Sequence, residues 1–372
     1  MQISSLSTAL PVTEYSTEKL MGFFPCKLPE GVERNIRNLG VSKRYLIERE
    51  DLSSQKEVLM NEGDLVGLCS EACEKVLKKA NLSIKDIGYF IATYDVNPFL
   101  SPGLSQLLVP RLGLSPFIKH VNVQGVASTA FPKALELAED HLAVRPERPV
   151  LICVSGVSSY WFQNQVRGLK DVLEIGEIGS IKNKVKRGFE LRKWVATMQF
   201  FLFGDGVATA VVSKNMSGLE VKKIVEVTNQ GEKDYLAGYS RLTTLDVPFR
   251  FGFYSHLDKE IPRLGAEYTG SALKELLGQD SERIMKMARK WAVHTGSEKI
   301  LNLLAERNGI EREKLSESHE VLKEYGNLAG ASLPFILDRI VSGDTLSAGD
   351  LVLMVGYGWG FSAAASLLEF TR

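Results

Sequence analysis

The chain lacks the cysteine patterns that mark metal sites and disulfide-stapled folds. Its 372 residues contain only four cysteines, and their spacing gives neither a ligand set nor a disulfide framework. Cys69 and Cys73 stand four residues apart in a helix-like stretch with Val66, which predicts packing in the core. No metal ion is therefore expected.

Long hydrophobic runs are also lacking. The longest apolar stretches, such as FIATYDV and DLVLMVGYGWG, are too short to span a bilayer. The N-terminal MQISSLSTALP has neither the basic start nor the sustained apolar region of a signal peptide. We therefore expect a cytoplasmic location and no integral membrane contact.

The sequence has no excess of charge of either sign. Lys and Arg number 45, Asp and Glu number 45, and no low-complexity tract is present. A protein without a net field has no global attraction to nucleic acid or to an anionic membrane surface. Neither partner is expected.

Helix-like and strand-like segments alternate along the chain. The stretch SEACEKVLKKANLSIKDIGYFIATYD has the pattern of a helix followed by a strand, and SALKELLGQDSERIMKMARKWAVHTG repeats that order. RPVLICVSG and DLVLMVGYG are nearly continuous apolar runs, which indicate strands covered on both faces. The sequence thus predicts a pseudo-duplicated α/β architecture, with one half over residues 1–215 and the other over residues 216–372.

Three polar residues follow apolar runs and are candidates for chemistry. His294 in WAVHTGSEKI and Asn327 in EYGNLAGASL each lie just past a strand-like run. VNVQGVASTAFPKAL has the pattern of a strand that enters a buried helix through a tight turn, and it places Ser128 at that turn. Taken alone, Ser128 is also well explained as a serine that caps the start of a helix.

Several motifs occur in a shared order and spacing: IRNLGVSKRYLIERE, LSPFIKHVNVQG before Ser128, FLFGDGVATAVV, HLDKEIPRL, EYGNLAGASLPFILDRI and the terminal VGYGWGF. Together they resemble type III polyketide synthases and, more distantly, ketoacyl-acyl carrier protein synthase III. The resemblance covers nearly the whole chain. It implies a five-layered αβαβα thiolase fold with two pseudo-duplicated halves, and usually a homodimer.

The resemblance also implies a reaction. Such enzymes move an acyl group from coenzyme A or an acyl carrier protein onto a nucleophile, then condense it with a malonyl thioester that loses carbon dioxide. These thioesters are substrates, and no cofactor is expected. By resemblance, His294 and Asn327 donate hydrogen bonds to the enolate oxygen. Ser128 stands at the position of the family's cysteine nucleophile.

Three interpretations of Ser128 remain open. The serine is an engineered replacement in an ordinary condensing enzyme, or it is natural and accepts the acyl group with His294 as base, or the site is silent and the chain is a subunit of a heteromeric enzyme. A non-condensing serine acyltransferase is the alternative function. A serine hydroxyl is a poorer nucleophile at neutral pH than a thiolate, so unassisted acylation is expected to be slow.

Further substrate-binding positions are predicted from the resemblance. Phe203 matches the family's gatekeeper between the acyl cavity and the pantetheine tunnel, although a core phenylalanine explains it equally well. Gly358 and Trp359 belong to the terminal glycine loop, in which Trp359 replaces the family's proline. Such a bulky side chain is expected to reshape the cavity floor.

An insertion of roughly fifteen residues, estimated from the spacing of the flanking motifs, separates SGVSSYWFQ from FLFGDG. It carries Lys184, Lys186 and Arg187 within a longer basic stretch that includes Arg192 and Lys193. These cations predict docking of coenzyme A phosphates or an acidic carrier protein. A solvated surface is the alternative. His120, His141 and His319 lie in polar contexts and are expected at the surface or as caps.

Overall fold

The computed structural model describes residues 1–47, 52, 62–242 and 253–371. The last three residues of the IRNLGVSKRYLIERE segment lie outside these ranges. The strands are β1 Gln2–Ala9, β2 Thr13–Ser16, β3 Lys43–Leu46, β4 Tyr89–Tyr94, β5 Lys119–Val123, β6 Val150–Ser155, β7 Val207–Ser213, β8 Leu219–Thr228, β9 Gly238–Leu242, β10 Phe253–Leu257, β11 Lys290–Val293, β12 Leu351–Gly358 and β13 Ser362–Phe370. The helices are α1 Thr17–Gly22, α2 Glu30–Arg37, α3 Glu62–Lys79, α4 Leu104–Arg111, α5 Ala130–Val144, α6 Ser159–Val166, α7 Ile175–Ser180, α8 Lys184–Leu202, α9 Ile261–Leu277, α10 Ser281–Met287, α11 Glu298–Asn308, α12 Ser316–Tyr325 and α13 Ser332–Ser342.

The large sheet has the order β11-β12-β13-β8-β1-β7-β6-β4-β5. Its two ends repeat one pattern. β4 and β6 are parallel, and β6, β7 and β1 are then antiparallel in turn. β11, β12, β13 and β8 follow the same sequence of pairings. The two sets meet where β1 pairs with β8 over only two registered positions.

Three hydrophobic clusters divide the molecule into layers. One cluster joins α3 and α4 to the outer face of the N-terminal strands. A second contains α5 and α13 between the two sets of strands. The third joins α9 and α11 to the outer face of the C-terminal strands. The order helix, sheet, helix, sheet, helix confirms the predicted five-layered α/β fold.

β6 shows why its sequence is a continuous apolar run. Leu151 and Cys153 face the α3 side, whereas Ile152 and Val154 face the α5 side, because successive side chains of a strand point to opposite faces. Helices therefore cover both faces of this strand. Cys69 and Cys73 lie in the same outer cluster as Cys153, which confirms that they pack in the core.

The two central helices begin in the same way. A 3₁₀ turn at Ala127–Thr129 precedes α5, and another at Ala329–Ala331 precedes α13. Ala127 has φ 45° and Ala329 has φ 48°, which is the left-handed region in both cases. The predicted boundary at residue 215 falls between β7 and β8, and the division into two domains stays a prediction. Among the described helices, none has the length and apolar character needed to cross a membrane.

Candidate active site

Ser128 lies on the 3₁₀ turn between β5 and the central helix α5, and its side chain is buried. Two glycines of β12 pack directly against this turn. A Cβ added to Gly358 lies 2.7 Å from the Cβ of Ala127, and one added to Gly356 lies 2.5 Å from the carbonyl oxygen of Ser128. These distances are too short for any larger residue, so the glycines allow β12 to support the turn. Gly358 therefore packs against the turn that carries Ser128, and its role in substrate binding stays a prediction.

His294 follows β11 and meets Ser128 across the central layer. Its Nε2 lies 2.9 Å from Ser128 Oγ, and its backbone N–H donates to the Val355 carbonyl over 2.9 Å. The ring is 3% exposed, and this burial lowers its pKa to about 3. His294 is therefore neutral at physiological pH and carries a single ring proton.

The other ring nitrogen of His294 has no hydrogen-bond partner among the described residues. A serine hydrolase places a carboxylate at this nitrogen, where it orients the ring and stabilises the imidazolium. Here the ring is held instead by packing, with Tyr357 edge-on at a centroid distance of 5.3 Å. The site therefore contains a buried serine–histidine pair without the third member of such a triad.

Asn327 presents its amide in a fixed orientation. Its side-chain Oδ1 accepts a hydrogen bond from the backbone N–H of Ala329 over 2.8 Å. That bond assigns the oxygen and leaves the amide hydrogens to donate elsewhere. The backbone N–H of Asn327 donates to the Leu202 carbonyl over 2.9 Å, and Gly204 N–H donates to the Asn327 carbonyl over 3.2 Å. The end of α8 and the residues just after it thus fix the backbone of Asn327.

A hydroxyl link joins the segments that carry His294 and Asn327. Ser332, the first residue of α13, accepts a hydrogen bond from the Thr295 hydroxyl over 2.8 Å and one from Leu328 N–H over 3.1 Å. Thr295 follows His294, Leu328 follows Asn327, and both Thr295 and Ser332 are fully buried. The sequence analysis missed this pair, because isolated Ser and Thr residues in helix-start contexts carry no distinctive pattern.

Phe203 lies beside Asn327, since the two residues form an isolated parallel bridge. Its ring packs against that of Phe162 of α6 in a tilted arrangement, with a centroid distance of 4.6 Å. Trp359 lies in the tight turn between β12 and β13 and packs against Gly238 of β9. The indole is therefore placed next to the β9–β10 hairpin, and its predicted effect on a cavity floor stays a prediction.

Asp205 of the FGDG motif connects three segments around the site. Its carboxylate accepts hydrogen bonds from the backbone N–H groups of Ser158 and Ser159 at the start of α6 and from Ile47 N–H after β3. The Ser159 hydroxyl also donates to it over 2.5 Å. Burial raises the pKa of Asp205, and these hydrogen bonds oppose the rise. The acid of this motif thus anchors the segment between α8 and β7.

The basic segment does not form one surface. Lys184, Lys186 and Arg187 are exposed in the first turn of α8, about 27 Å of helix from its last residue. Arg192 instead lies over the ring of Tyr254 at 4.5 Å. Lys193 is buried and forms ion pairs with Asp171 and Glu190, so it is not available for docking. Only the first three cations remain candidates, and they do not line the reaction centre.

One expectation about the remaining histidines is wrong. His141 is buried, with its ring 5.2 Å from that of Tyr89, because it lies on the inward face of α5. His120 accepts or donates a hydrogen bond with the Ser105 hydroxyl at 2.8 Å, and His319 contacts Glu298 at 2.9 Å. None of the three contributes to the Ser128 site.

Comparisons with known proteins show what the chain is similar to. Residues 288–370 match the family model for the C-terminal region of 3-oxoacyl-[acyl-carrier-protein] synthase III. A 3,5-dihydroxyphenylacetyl-CoA synthase of Amycolatopsis orientalis is 23% identical over 99% of this chain and 93% of its own length. A β-ketoacyl-[acyl-carrier-protein] synthase III of Clostridium perfringens is 23% identical over 89% of this chain and 88% of its own length.

The solved structures give the same fold. The crystal structure of 1,3,6,8-tetrahydroxynaphthalene synthase from Streptomyces coelicolor, a bacterial type III polyketide synthase, superimposes with a TM-score of 0.80. The match covers all of both chains at 21% sequence identity. Together with the sequence relatives, this likeness confirms the thiolase fold and the resemblance to condensing enzymes of the type III polyketide synthase and ketoacyl synthase III kinds.

Proposed function

We propose that this protein condenses acyl thioesters, joining an acyl group held on Ser128 to a malonyl thioester with loss of carbon dioxide. The observation that carries the proposal is the 2.9 Å contact between Ser128 Oγ and His294 Nε2. Both residues are buried, and the turn that follows Asn327 packs against the turn that carries Ser128. The names of the relatives, which include a type III polyketide synthase and a β-ketoacyl-[acyl-carrier-protein] synthase III, support a condensing enzyme.

The first step is acyl transfer. Ser128 Oγ attacks the thioester carbonyl, His294 Nε2 takes the hydroxyl proton, and the thiolate of the donor leaves and regains that proton. The result is an ester on Ser128. A histidine with a pKa of about 3 is a weak base, and the described residues offer no carboxylate to stabilise its protonated form. This step is therefore the slow one.

The second step suits a neutral histidine. When carbon dioxide leaves the malonyl thioester, negative charge moves onto the thioester oxygen. In this step the single ring proton of neutral His294 is on Nε2, so the ring takes the tautomer opposite to the one that accepts the Ser128 proton. The Nε2–H of His294 and the side-chain N–H of Asn327 then both donate to that oxygen without a change of charge on either donor. The carbanion attacks the ester carbonyl, a carbon–carbon bond forms, and the Ser128 alkoxide leaves and takes a proton from water.

A serine acyltransferase without condensation is the second candidate. The Ser128–His294 contact favours it as well, because the first step is the same. Two observations weigh against an acyltransferase without condensation. The second ring nitrogen of His294 has no hydrogen-bond partner among the described residues, and the amide of Asn327 is fixed in orientation. Ester transfer has no need of two neutral donors on one enolate oxygen.

Coenzyme A or an acyl carrier protein is proposed as donor, and a second copy of the chain as partner. β5 is the edge strand of the large sheet, and Phe117 just before it is 94% exposed. An unpaired edge beside an exposed aromatic ring supports pairing with a second chain. Sedimentation of the purified protein tests this, and a monomer at micromolar concentration contradicts it.

The function is tested with malonyl-CoA and the single variants His294→Ala and Asn327→Ala. Each variant is expected to release carbon dioxide at least tenfold more slowly than the parent protein while keeping its thermal unfolding temperature within a few degrees. Ser128→Ala should retain decarboxylation but lose the acyl mass increase on the intact protein. Decarboxylation at the parent rate in both donor variants overturns the proposed condensing function.

A further inference from the structure

Two buried glutamines next to the proposed site have unpaired amides. Gln199 of α8 is 1% exposed, and neither its Nε2 nor its Oε1 has a hydrogen-bond partner among the described residues. Gln165 of α6 is 3% exposed, and its Nε2 also has no hydrogen-bond partner among the described residues. Burying an amide without a hydrogen-bond partner destabilises the folded state, so each such group in a native structure needs an explanation.

The two helices that carry these amides run antiparallel. Asp205, just past the end of α8, accepts hydrogen bonds from the backbone at the start of α6. The start of α6 therefore lies at the end of α8. At this crossing the rings of Phe162 and Phe203 pack against each other.

Both amides lie one helical turn from this aromatic pair, on the same side of it. Gln165 is three residues after Phe162, and Gln199 is four residues before Phe203. Because the helices are antiparallel, these two steps lead in the same direction, over about 5 Å in each helix. The sequence steps therefore place the two glutamines at the same level of the packed helices α6 and α8, beyond Phe203 as seen from Asn327.

We propose that Gln199 and Gln165 bind the oxygen-bearing part of the acyl group. This inference rests on the proposed function, since it assigns the acyl chain to the space next to Phe203. A carboxamide both donates and accepts, so Gln199 can pair with a keto or a hydroxyl oxygen. The substrate class is then an acyl thioester, or a growing chain, that carries keto or hydroxyl groups beyond the thioester carbonyl. A plain alkyl chain leaves both amides unpaired.

The test compares two ligands of equal chain length, hexanoyl-CoA and 5-oxohexanoyl-CoA. Their dissociation constants are measured by calorimetry with Ser128→Ala protein, which cannot be acylated, and with the same protein that also carries Gln199→Leu. We expect Gln199→Leu to weaken binding of the keto ligand by about tenfold and to leave binding of the alkyl ligand unchanged or tighter. Gln165→Leu should act in the same direction.

Thermal unfolding of the free protein gives a second readout. Replacing an unpaired buried amide with an apolar group of similar shape is neutral or stabilising, so Gln199→Leu should leave the unfolding temperature unchanged or higher. The matched control is Thr197→Val on the same helix, whose buried hydroxyl donates to the Lys193 carbonyl over 2.8 Å. This control is expected to lower the unfolding temperature without changing the preference between the ligands.

The outcomes separate the inference from the function on which it rests. Equal weakening of both ligands, no weakening of either, or a lower unfolding temperature with Gln199→Leu shows that Gln199 is structural and overturns the inference alone. Failure of the Gln199-containing protein to bind either acyl-CoA overturns the proposed function as well. A selective loss of the keto ligand supports the assignment.

Discussion

The Thr295 hydroxyl donates a hydrogen bond to the Ser332 hydroxyl over 2.8 Å, and this contact joins two segments that are distant in sequence. Thr295 follows His294, and Ser332 also receives the N–H of Leu328, which follows Asn327. A buried link thus joins the two segments that carry the proposed donors. Donors that must converge on a single oxygen lose effect when their geometry shifts by a fraction of an ångström.

We expect Thr295→Val to lower the rate of malonyl decarboxylation about tenfold with little change in KM, because the substituted side chain keeps its shape but loses the link. Thr295→Ser keeps the hydroxyl and should restore most of the rate. A double-mutant cycle with Asn327→Ala separates positioning from general damage. If Thr295 acts through the geometry of Asn327, Thr295→Val has little further effect once that amide is gone.

The control for this cycle is Thr209→Val. Thr209 is also fully buried, but its hydroxyl donates to the Ala72 carbonyl on the outer α3 side of the sheet. We expect Thr209→Val to lower the free energy of unfolding without changing the rate of malonyl decarboxylation. Equal effects of Thr295→Val with and without the Asn327 amide contradict a positioning role.

Ser128→Cys should increase the rate at which the protein is acylated. The residue lies just before the first turn of α5, where the positive end of the helix dipole favours a thiolate. A thiolate is already deprotonated, so its acylation does not depend on His294 as a base, whereas acylation of the serine does. Intact-protein mass after incubation with short and long acyl-CoA donors measures the effect. A cysteine variant that gains no acyl mass from any donor supports a silent subunit.

Stability should depend on pH through His294. Burial lowers its pKa to about 3, whereas in the unfolded chain the ring binds a proton near its ordinary value of 6.5. Between these values the unfolded state binds a proton that the folded state excludes. The contribution of His294 to stability is therefore complete above about pH 6.5 and is lost as the pH falls toward 3.

His294→Gln removes this dependence. Over the window below about pH 6.5, the parent protein is expected to lose up to about 1.4 kcal/mol more unfolding free energy per pH unit than the variant. Urea unfolding at several pH values between neutrality and the onset of acid denaturation measures the difference. Parallel curves for the two proteins indicate that the ring is protonated normally in the folded state.

The three exposed cations of α8 give a prediction about the donor. Replacing Lys184, Lys186 and Arg187 together with glutamine should raise the KM for the donor and flatten its dependence on salt. The effect should be larger for a carrier-protein donor than for coenzyme A, because an acidic protein surface offers more charges to pair. Stability should not fall, since cations in the first turn of a helix oppose its dipole.

A matched triple substitution controls for net charge. Lys299, Arg307 and Lys323 are also exposed and belong to the helices of the C-terminal half. Their replacement with glutamine removes the same charge from another surface and should leave the donor KM unchanged. Identical kinetics of both triple variants across a salt series would show that the α8 cations are solvated surface groups.

The amino-acid sequence by itself determined the layered α/β fold and the three residues of the proposed site. Apolar runs such as VLICVS require cover on both faces of a strand, and helix and strand patterns alternate in the order that the structure shows. The turn before α5 and the segments after β11 and α12 carry polar residues at the ends of buried elements. Local sequence placed these candidates at the ends of regular elements, but the resemblance was needed to choose Ser128, because the same residue taken alone is explained as a helix cap.

Only the tertiary structure decided how these residues act. The pKa of His294 and the unpaired state of its second nitrogen follow from burial between two sets of strands, which no local pattern reports. The same holds for the link between Thr295 and Ser332 and for the unpaired amides of Gln165 and Gln199. In the basic segment, the sequence predicts one group of cations. The fold buries Lys193 in ion pairs and thereby separates it from Lys184. Burial and pairing depend on residues far apart in the chain, and they fix the charge and the hydrogen-bonding capacity of each group.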